Sequence, residues 1–198
     1  MEVIKSFAAP GVDQRALGFD GKYLWHMDAG TGLLYQLDRD GNIIRSFTAA
    51  MSNAWGIMFD GKNLWQANWG ANKFIMTDRD GEVIKTFTGP GAWTRGAIFD
   101  GKNFYEGDAG TDLIYQLDRD GNILRSFAAP GVEISALGWD GKHLWYIDST
   151  TDLIYQIDRD GNILQSFAAP DGVVYGAVHD GKHLWCAGEA TDTIYQMG

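Results

Sequence analysis

The chain has 198 residues, of which 45% are hydrophobic and 21% charged, an ordinary globular balance that excludes a disordered or fibrous chain. Its net charge of −10 disfavours a nucleic-acid backbone or an anionic membrane as partner, because basic residues are outnumbered. A single cysteine, Cys186, excludes an internal disulfide framework and any multi-cysteine zinc site, and no apolar run reaches the length of a membrane span.

Met1 leads directly into Glu2-Val3-Ile4-Lys5-Ser6-Phe7, a strand pattern with no signal-peptide character, so no targeting segment is expected and the compartment is left open. The next unit sets the template. Ala16–Phe19 is a short apolar run that ends at Asp20-Gly21-Lys22, a hairpin turn in which glycine supplies the positive φ. Tyr23–Asp28 is a second strand, rich in aromatic residues, and Ala29–Gly32 a loop. Leu33–Leu37 is a third strand, Asp38-Arg39-Asp40-Gly41 a turn, and Asn42–Phe47 a fourth strand. A longer connection over 48–55 leads to the next unit.

The Asp-Gly-Lys turn returns at Asp60, Asp100, Asp140 and Asp180, always forty residues on, with no insertion or deletion. Four short strands per forty residues, without helical periodicity, predict one blade of a β-propeller. The chain ends inside a third strand, at Tyr195-Gln196-Met197-Gly198, and residues 2–7 align with 42–47. The expectation is a single all-β domain over 1–198: a five-bladed propeller of four antiparallel strands per blade, whose last blade is completed by the N-terminal strand.

Two patterns invite a metal reading. Asp38-Arg39-Asp40-Gly41 and its copies resemble the start of a calcium loop, but lack a third alternating oxygen ligand and the bidentate Glu at the twelfth position. The histidines, His26, His143, His179 and His183, show no ligand spacing. Neither a metal nor a cofactor is expected. Nucleophile and phosphate-loop motifs are absent as well.

The repeats serve as their own comparison. Directly after the second-strand Trp or Tyr stand His26, Gln66, Glu106, Tyr146 and Cys186, five residues in five blades. A column that varies among near-identical copies is expected to line the mouth of the central channel. The connections vary with it: Arg15, Trp55, Arg95, Ser135 and Tyr175 at one position, and Asp13, Asn53, Trp93, Glu133 and Val173 two residues earlier. Asn68 and Trp69 mark blade two as the most divergent. These residues suggest an aromatic pocket over blades two and three, in which Trp55, Trp69 and Trp93 stack, Glu106 takes a cationic group and Arg95 an anionic one. The competing reading is free drift of loop residues, with tryptophans covering the end of the core.

The stretch Trp93-Thr94-Arg95-Gly96-Ala97-Ile98-Phe99-Asp100-Gly101-Lys102-Asn103-Phe104-Tyr105-Glu106-Gly107 resembles the Thr-Gln-Gly-Leu…Asp-Gly…Leu-Tyr-Glu segment of plant-type glutamine cyclotransferases. Asn53-Ala54-Trp55-Gly56-Ile57, followed by Asp60-Gly61-Lys62, is similar to their Trp-Gly-Leu…Asp-Gly segment. Arg95 stands where that motif has Gln. The resemblance implies a five-bladed propeller that converts N-terminal glutamine to pyroglutamate, with Glu106 as the proton-transferring carboxylate and Trp55 as a pocket wall. The near-identity of the blades favours a first reading without catalysis: binding of a small molecule or peptide terminus by a monomer. The cyclotransferase is the second reading. A multivalent lectin-like module is the third, disfavoured because repeated sites require repeated ligands.

Overall fold

The computed structural model describes residues 1–198 and contains strands and turns only, in five four-stranded antiparallel sheets. In the first blade the strands are Gln14–Phe19, Leu24–Asp28, Leu33–Leu37 and Ile43–Thr48, hydrogen-bonded in that order from the axis outwards. The innermost strands of the others are Ala54–Phe59, Thr94–Phe99, Ile134–Trp139 and Val174–His179, and together the five form the wall of the central channel. The first strand begins two residues earlier than the apolar run suggested, because a register shift between Gln14 and Ala16 lets the polar residues 14 and 15 join the sheet.

The ring closes as expected. Val3–Ala8 pairs antiparallel with Thr193–Met197, from Val3 opposite Met197 to Ala8 opposite Thr193. The fifth blade is therefore built from both ends of the chain, and Gly198 and Glu2 exchange two backbone hydrogen bonds where the others have a continuous turn.

Each core is an interface between blades. Trp145, Ile147 and Ile154 of blade four pack with Val174, Leu184 and Cys186 of blade five, and Trp185, Ala187 and Ile194 of blade five pack with Leu17, Leu24 and Leu37 of blade one. Along a second strand, alternate residues face opposite neighbours, since the side-chain period is two. Positions 25 and 27 face the following blade; 24, 26 and 28 face the preceding one. Close approach at the inner ring requires glycine. A Cβ on Gly96 would lie 2.6 Å from the Leu137 amide nitrogen, and one on Gly176 2.7 Å from that of Leu17.

Candidate functional site

The face that carries the inter-blade connections is closed by one residue from each of four inner strands. Arg15, Trp55, Arg95 and Tyr175 converge on the axis. The Arg15 guanidinium carbon lies 4.7 Å from the Trp55 ring and 5.1 Å from Tyr175, and Arg95 lies 5.0 Å from Trp55 on its other side. Trp55 and Tyr175, from blades that are not neighbours, meet edge to face at 4.7 Å, so Trp55 spans the channel mouth. Its indole Nε1–H donates to Asn53 Oδ1 at 2.9 Å, and Asn68 Nδ2 donates to the Asn53 carbonyl at 3.0 Å. The fifth member, Ser135, turns away, donating to the Ile147 carbonyl.

The guanidinium groups are anchored at one end only. Arg15 pairs with Asp13 at 2.5 Å and Arg95 with Glu133 of the next blade at 3.4 Å, while the Nε atoms of both are buried and without a hydrogen-bond partner. Trp69 stands 6.4 Å from Trp55 and is exposed. Trp93 is also exposed, but belongs elsewhere: it lies over Gly110, and its amide donates to Asp108 Oδ1 at 2.8 Å. The expected trio of tryptophans is a pair and an outlier, because the 92–93 connection is drawn outwards by the Asp108 carboxylate.

The variable second-strand column does not line the channel. His26, Gln66, Glu106, Tyr146 and Cys186 are all completely buried. They point into the interface with the preceding blade: Cys186 packs against Trp145 and Ile147, and Tyr146 against Ile98 and Ile114. Only the innermost strand borders the axis, and a second-strand side chain lies in the plane between two sheets, so height along the axis brings none of them to the mouth. Several of these polar atoms are unpartnered: both ring nitrogens of His26, both amide atoms of Gln66, Glu106 Oε2 and the Tyr146 hydroxyl.

Glu106 is the chemically distinct member. Its Oε1 accepts from Thr94 Oγ1 at 2.5 Å, and Oε2 lies under the 89–91 connection, 2.8 Å from where a Cβ on Gly89 would be. Burial pushes its carboxyl up to about 7; the Asp108 charge adds to this, and the Thr94 hydroxyl opposes it. Burial lowers His26 to about 4, against the pull of Asp28, and raises the Cys186 thiol to about 12. An acid poised near neutrality, hydrogen-bonded to Thr94, the residue before Arg95, has the pKa that proton transfer requires.

The opposite face holds what the sequence reading missed. There Phe19, Phe59, Phe99, Trp139 and His179, each directly before an Asp-Gly-Lys turn, encircle a cavity of about 140 Å³. A shallower one of about 490 Å³ opens beyond it between the turns at Asp20, Asp60 and Asp100. Each turn aspartate is also more than a turn residue. Asp20 Oδ1 accepts from the amides of Lys22 and Tyr23, and Oδ2 from Trp25 Nε1 at 3.0 Å. Arginine from the following blade then reaches the same carboxylate: Arg79 to Asp20 at 3.7 Å, Arg159 to Asp100 at 3.2 Å and, across the ring closure, Arg39 to Asp180 at 3.4 Å. The fixed spacing from the Asp-Arg-Asp-Gly turn was the available signal; the pairing needs the ring. Asp38, the first residue of that turn, accepts from the amides of Asp40 and Asn42 through Oδ1. No group of three or more His, Cys, Asp or Glu side chains is gathered in a metal-ligating arrangement.

No family model matches the chain, and no curated protein matches it. Solved structures do. The glutaminyl cyclase of Myxococcus xanthus superposes with a TM-score of 0.82 over 98% of this chain and 94% of its own, at 15% identity. The WD40 propeller domain of Doa1 gives 0.60 at 13% identity, over 91% of this chain and 62% of its own. Virginiamycin B lyase from Staphylococcus aureus gives 0.56 at 18% identity, over 92% of this chain and 65% of its own. At such identities the likeness is one of fold. The chain is a five-bladed β-propeller, similar in fold to a glutaminyl cyclase over almost its whole length.

Proposed function

We propose that the protein binds a small molecule or a peptide terminus at the mouth built by Arg15, Trp55, Arg95 and Tyr175. The observation that supports this best is the seating of Trp55 between two guanidinium groups whose Nε atoms have no partner. A carboxylate is the group that such donors suit, and Tyr175 and the exposed Trp69 offer aromatic surface to the body of a ligand. Glu106 is enclosed beneath the 89–91 connection and takes part only if that connection opens, while the rest of its column is buried between other blades.

Titration of tryptophan fluorescence with aromatic carboxylates and short peptides tests this reading. Saturable quenching at about one ligand per chain, lost in Arg15→Ala and Arg95→Ala, is the expected result. Absence of saturation up to millimolar ligand refutes it, and a stoichiometry near five would favour one site per blade.

One observation favours a second reading. A carboxyl held near neutrality at Glu106, on a propeller similar in fold to a glutaminyl cyclase, suits attack of a substrate α-amine on its own side-chain amide. Glu106 would take the proton from the amine and deliver it to the departing ammonia as the amide C–N bond breaks. Ammonia release from a glutaminyl peptide, abolished in Glu106→Gln, is the outcome this requires; none at high protein concentration removes it.

A further inference from the structure

The central channel ends differently on its two faces. At the connection face Arg15, Trp55, Arg95 and Tyr175 close it, whereas at the Asp-Gly-Lys face it ends in the cavity of about 140 Å³. Five ring side chains, Phe19, Phe59, Phe99, Trp139 and His179, surround that cavity, all only partly buried, and the rest of its lining is apolar. Two of these side chains carry a hydrogen-bonding group, Trp139 and His179. In His179, Nδ1 accepts from the Gly181 amide at 3.1 Å, and burial holds the ring below the usual imidazole range. The neutral ring therefore carries its proton on Nε2. One face of the ring stacks on Trp145, with centroids 6.2 Å apart, so the edge bearing Nε2–H is what His179 has left to offer.

Charge around the cavity selects the ligand. A ring of aromatic side chains invites a cation, but here each of the four hydrocarbon rings already holds one. Arg39 lies over Phe19 at 5.0 Å, Arg79 over Phe59 at 4.7 Å, Arg119 over Phe99 at 4.8 Å and Arg159 over Trp139 at 4.7 Å. A second cation would meet the repulsion of the first. The carboxylates bordering the shallower cavity above are committed as well. Those of Asp20 and Asp60 accept from turn amides and an indole, and that of Asp100 accepts from turn amides and faces Arg159. An anion would lose its hydration in the cavity without meeting a charged partner there. A neutral ligand is the one this lining suits.

We infer that this cavity binds a small neutral aromatic molecule bearing a hydrogen-bond acceptor, such as a phenol, with its ring among Phe19, Phe59, Phe99 and Trp139 and its oxygen accepting from His179 Nε2. The size fits: an apolar cavity of about 150 Å³ takes up benzene. The four guanidinium groups hold the surrounding rings in place before a ligand arrives, so little further ordering is required of them. Entry is through the shallower cavity of about 490 Å³ between the turns at Asp20, Asp60 and Asp100. The site lies at the other end of the channel from Trp55 and does not depend on the function proposed there.

Titration with para-fluorophenol, followed by fluorine NMR near neutral pH, tests the inference. Saturation at about one ligand per chain is expected, with a Kd of about a millimolar or below. Fluorobenzene, which lacks the acceptor, binds about two- to tenfold more weakly. His179→Phe installs the ring found at three equivalent positions; it brings para-fluorophenol down to the level of fluorobenzene and leaves fluorobenzene unchanged. Phe59→Trp installs the residue that Trp139 already places at the same position of another blade, so the fold accepts it. It fills the cavity and weakens both ligands at least about tenfold. Arg15→Ala, at the opposite mouth, changes neither. Absence of saturation up to about 10 mM overturns the inference. So does undiminished binding in Phe59→Trp, loss of binding in Arg15→Ala, equal affinity of the two ligands for the parent chain, or displacement of para-fluorophenol by equimolar choline.

Discussion

Asp171 and Gly188 hold, in exchanged positions, the pair that Gly11 and Asp28 hold in blade one. A Cβ on Gly188 would lie 2.2 Å from Asp171 Oδ2, and a Cβ on Gly11 2.1 Å from Asp28 Cγ, so in both blades the space takes one carboxylate and one glycine. In blade five the carboxylate comes from the connection, yet it still accepts from the Thr191 amide and hydroxyl, at 3.2 and 2.6 Å. In blade one Asp28 serves Thr31 in the same way.

Reciprocal substitution should therefore restore what single changes remove. Gly188→Asp forces two carboxylates into one space, and Asp171→Gly leaves the Thr191 groups without their acceptor; each is expected to cost about 1–3 kcal/mol. The double variant recovers most of this, with a coupling energy above about 1 kcal/mol in denaturant unfolding. Additive losses would show that the two positions are independent.

Opposed pH dependences are expected from two members of the buried column. Glu106, raised to about 7, stays protonated in the folded protein while the unfolded chain ionises, so its contribution to stability falls as pH rises from about 4.5 to 7. His26, lowered to about 4, stays neutral when folded while the unfolded chain takes a proton, so its contribution rises with pH between about 4 and 6.5. In the parent chain the two slopes largely cancel over that interval. Glu106→Gln should gain stability from pH 5 to 6.5 and His26→Gln should lose it, each by up to about 2 kcal/mol, measured by urea unfolding at several pH values. Parallel profiles in both variants would contradict this.

The turn aspartates should matter far more than the arginines that reach them. Asp20 is enclosed and serves two amides and an indole, whereas Arg79 is half exposed. Asp20→Ala leaves those donors unpaired and is expected to cost about 2–4 kcal/mol. Arg79→Ala loses a screened contact worth about 1 kcal/mol or less. Thermal melts of the two variants give the ranking directly.

Inner-ring glycines should differ by position. Gly96→Ala drives a Cβ against the Leu137 backbone at 2.6 Å, while the nearest atom to a Cβ on Gly138 is the Trp145 Cβ at 3.3 Å. Neither glycine has a positive φ, so the difference is one of space. Gly96→Ala is expected to destabilise by about 1–3 kcal/mol through overpacking, and Gly138→Ala by clearly less.

Much of this molecule is legible in the chain. The forty-residue beat, the Asp-Gly turns and the alignment of residues 2–7 with 42–47 determined five blades and their closure, because turn chemistry and strand length are local properties. Comparing the repeats also pointed to Arg15, Trp55, Arg95 and Tyr175, which do meet. It misplaced His26, Gln66, Glu106, Tyr146 and Cys186, since variability alone does not say whether a side chain faces a channel or a neighbouring sheet. That depends on which strand is innermost and which face each residue takes, and these are decided only when the blades pack. The same holds for pairs thirty-five or more residues apart, such as Arg159 with Asp100 or Arg39 with Asp180. Their attraction needs a separation of a few ångströms, which no spacing along the chain supplies and the closed ring does.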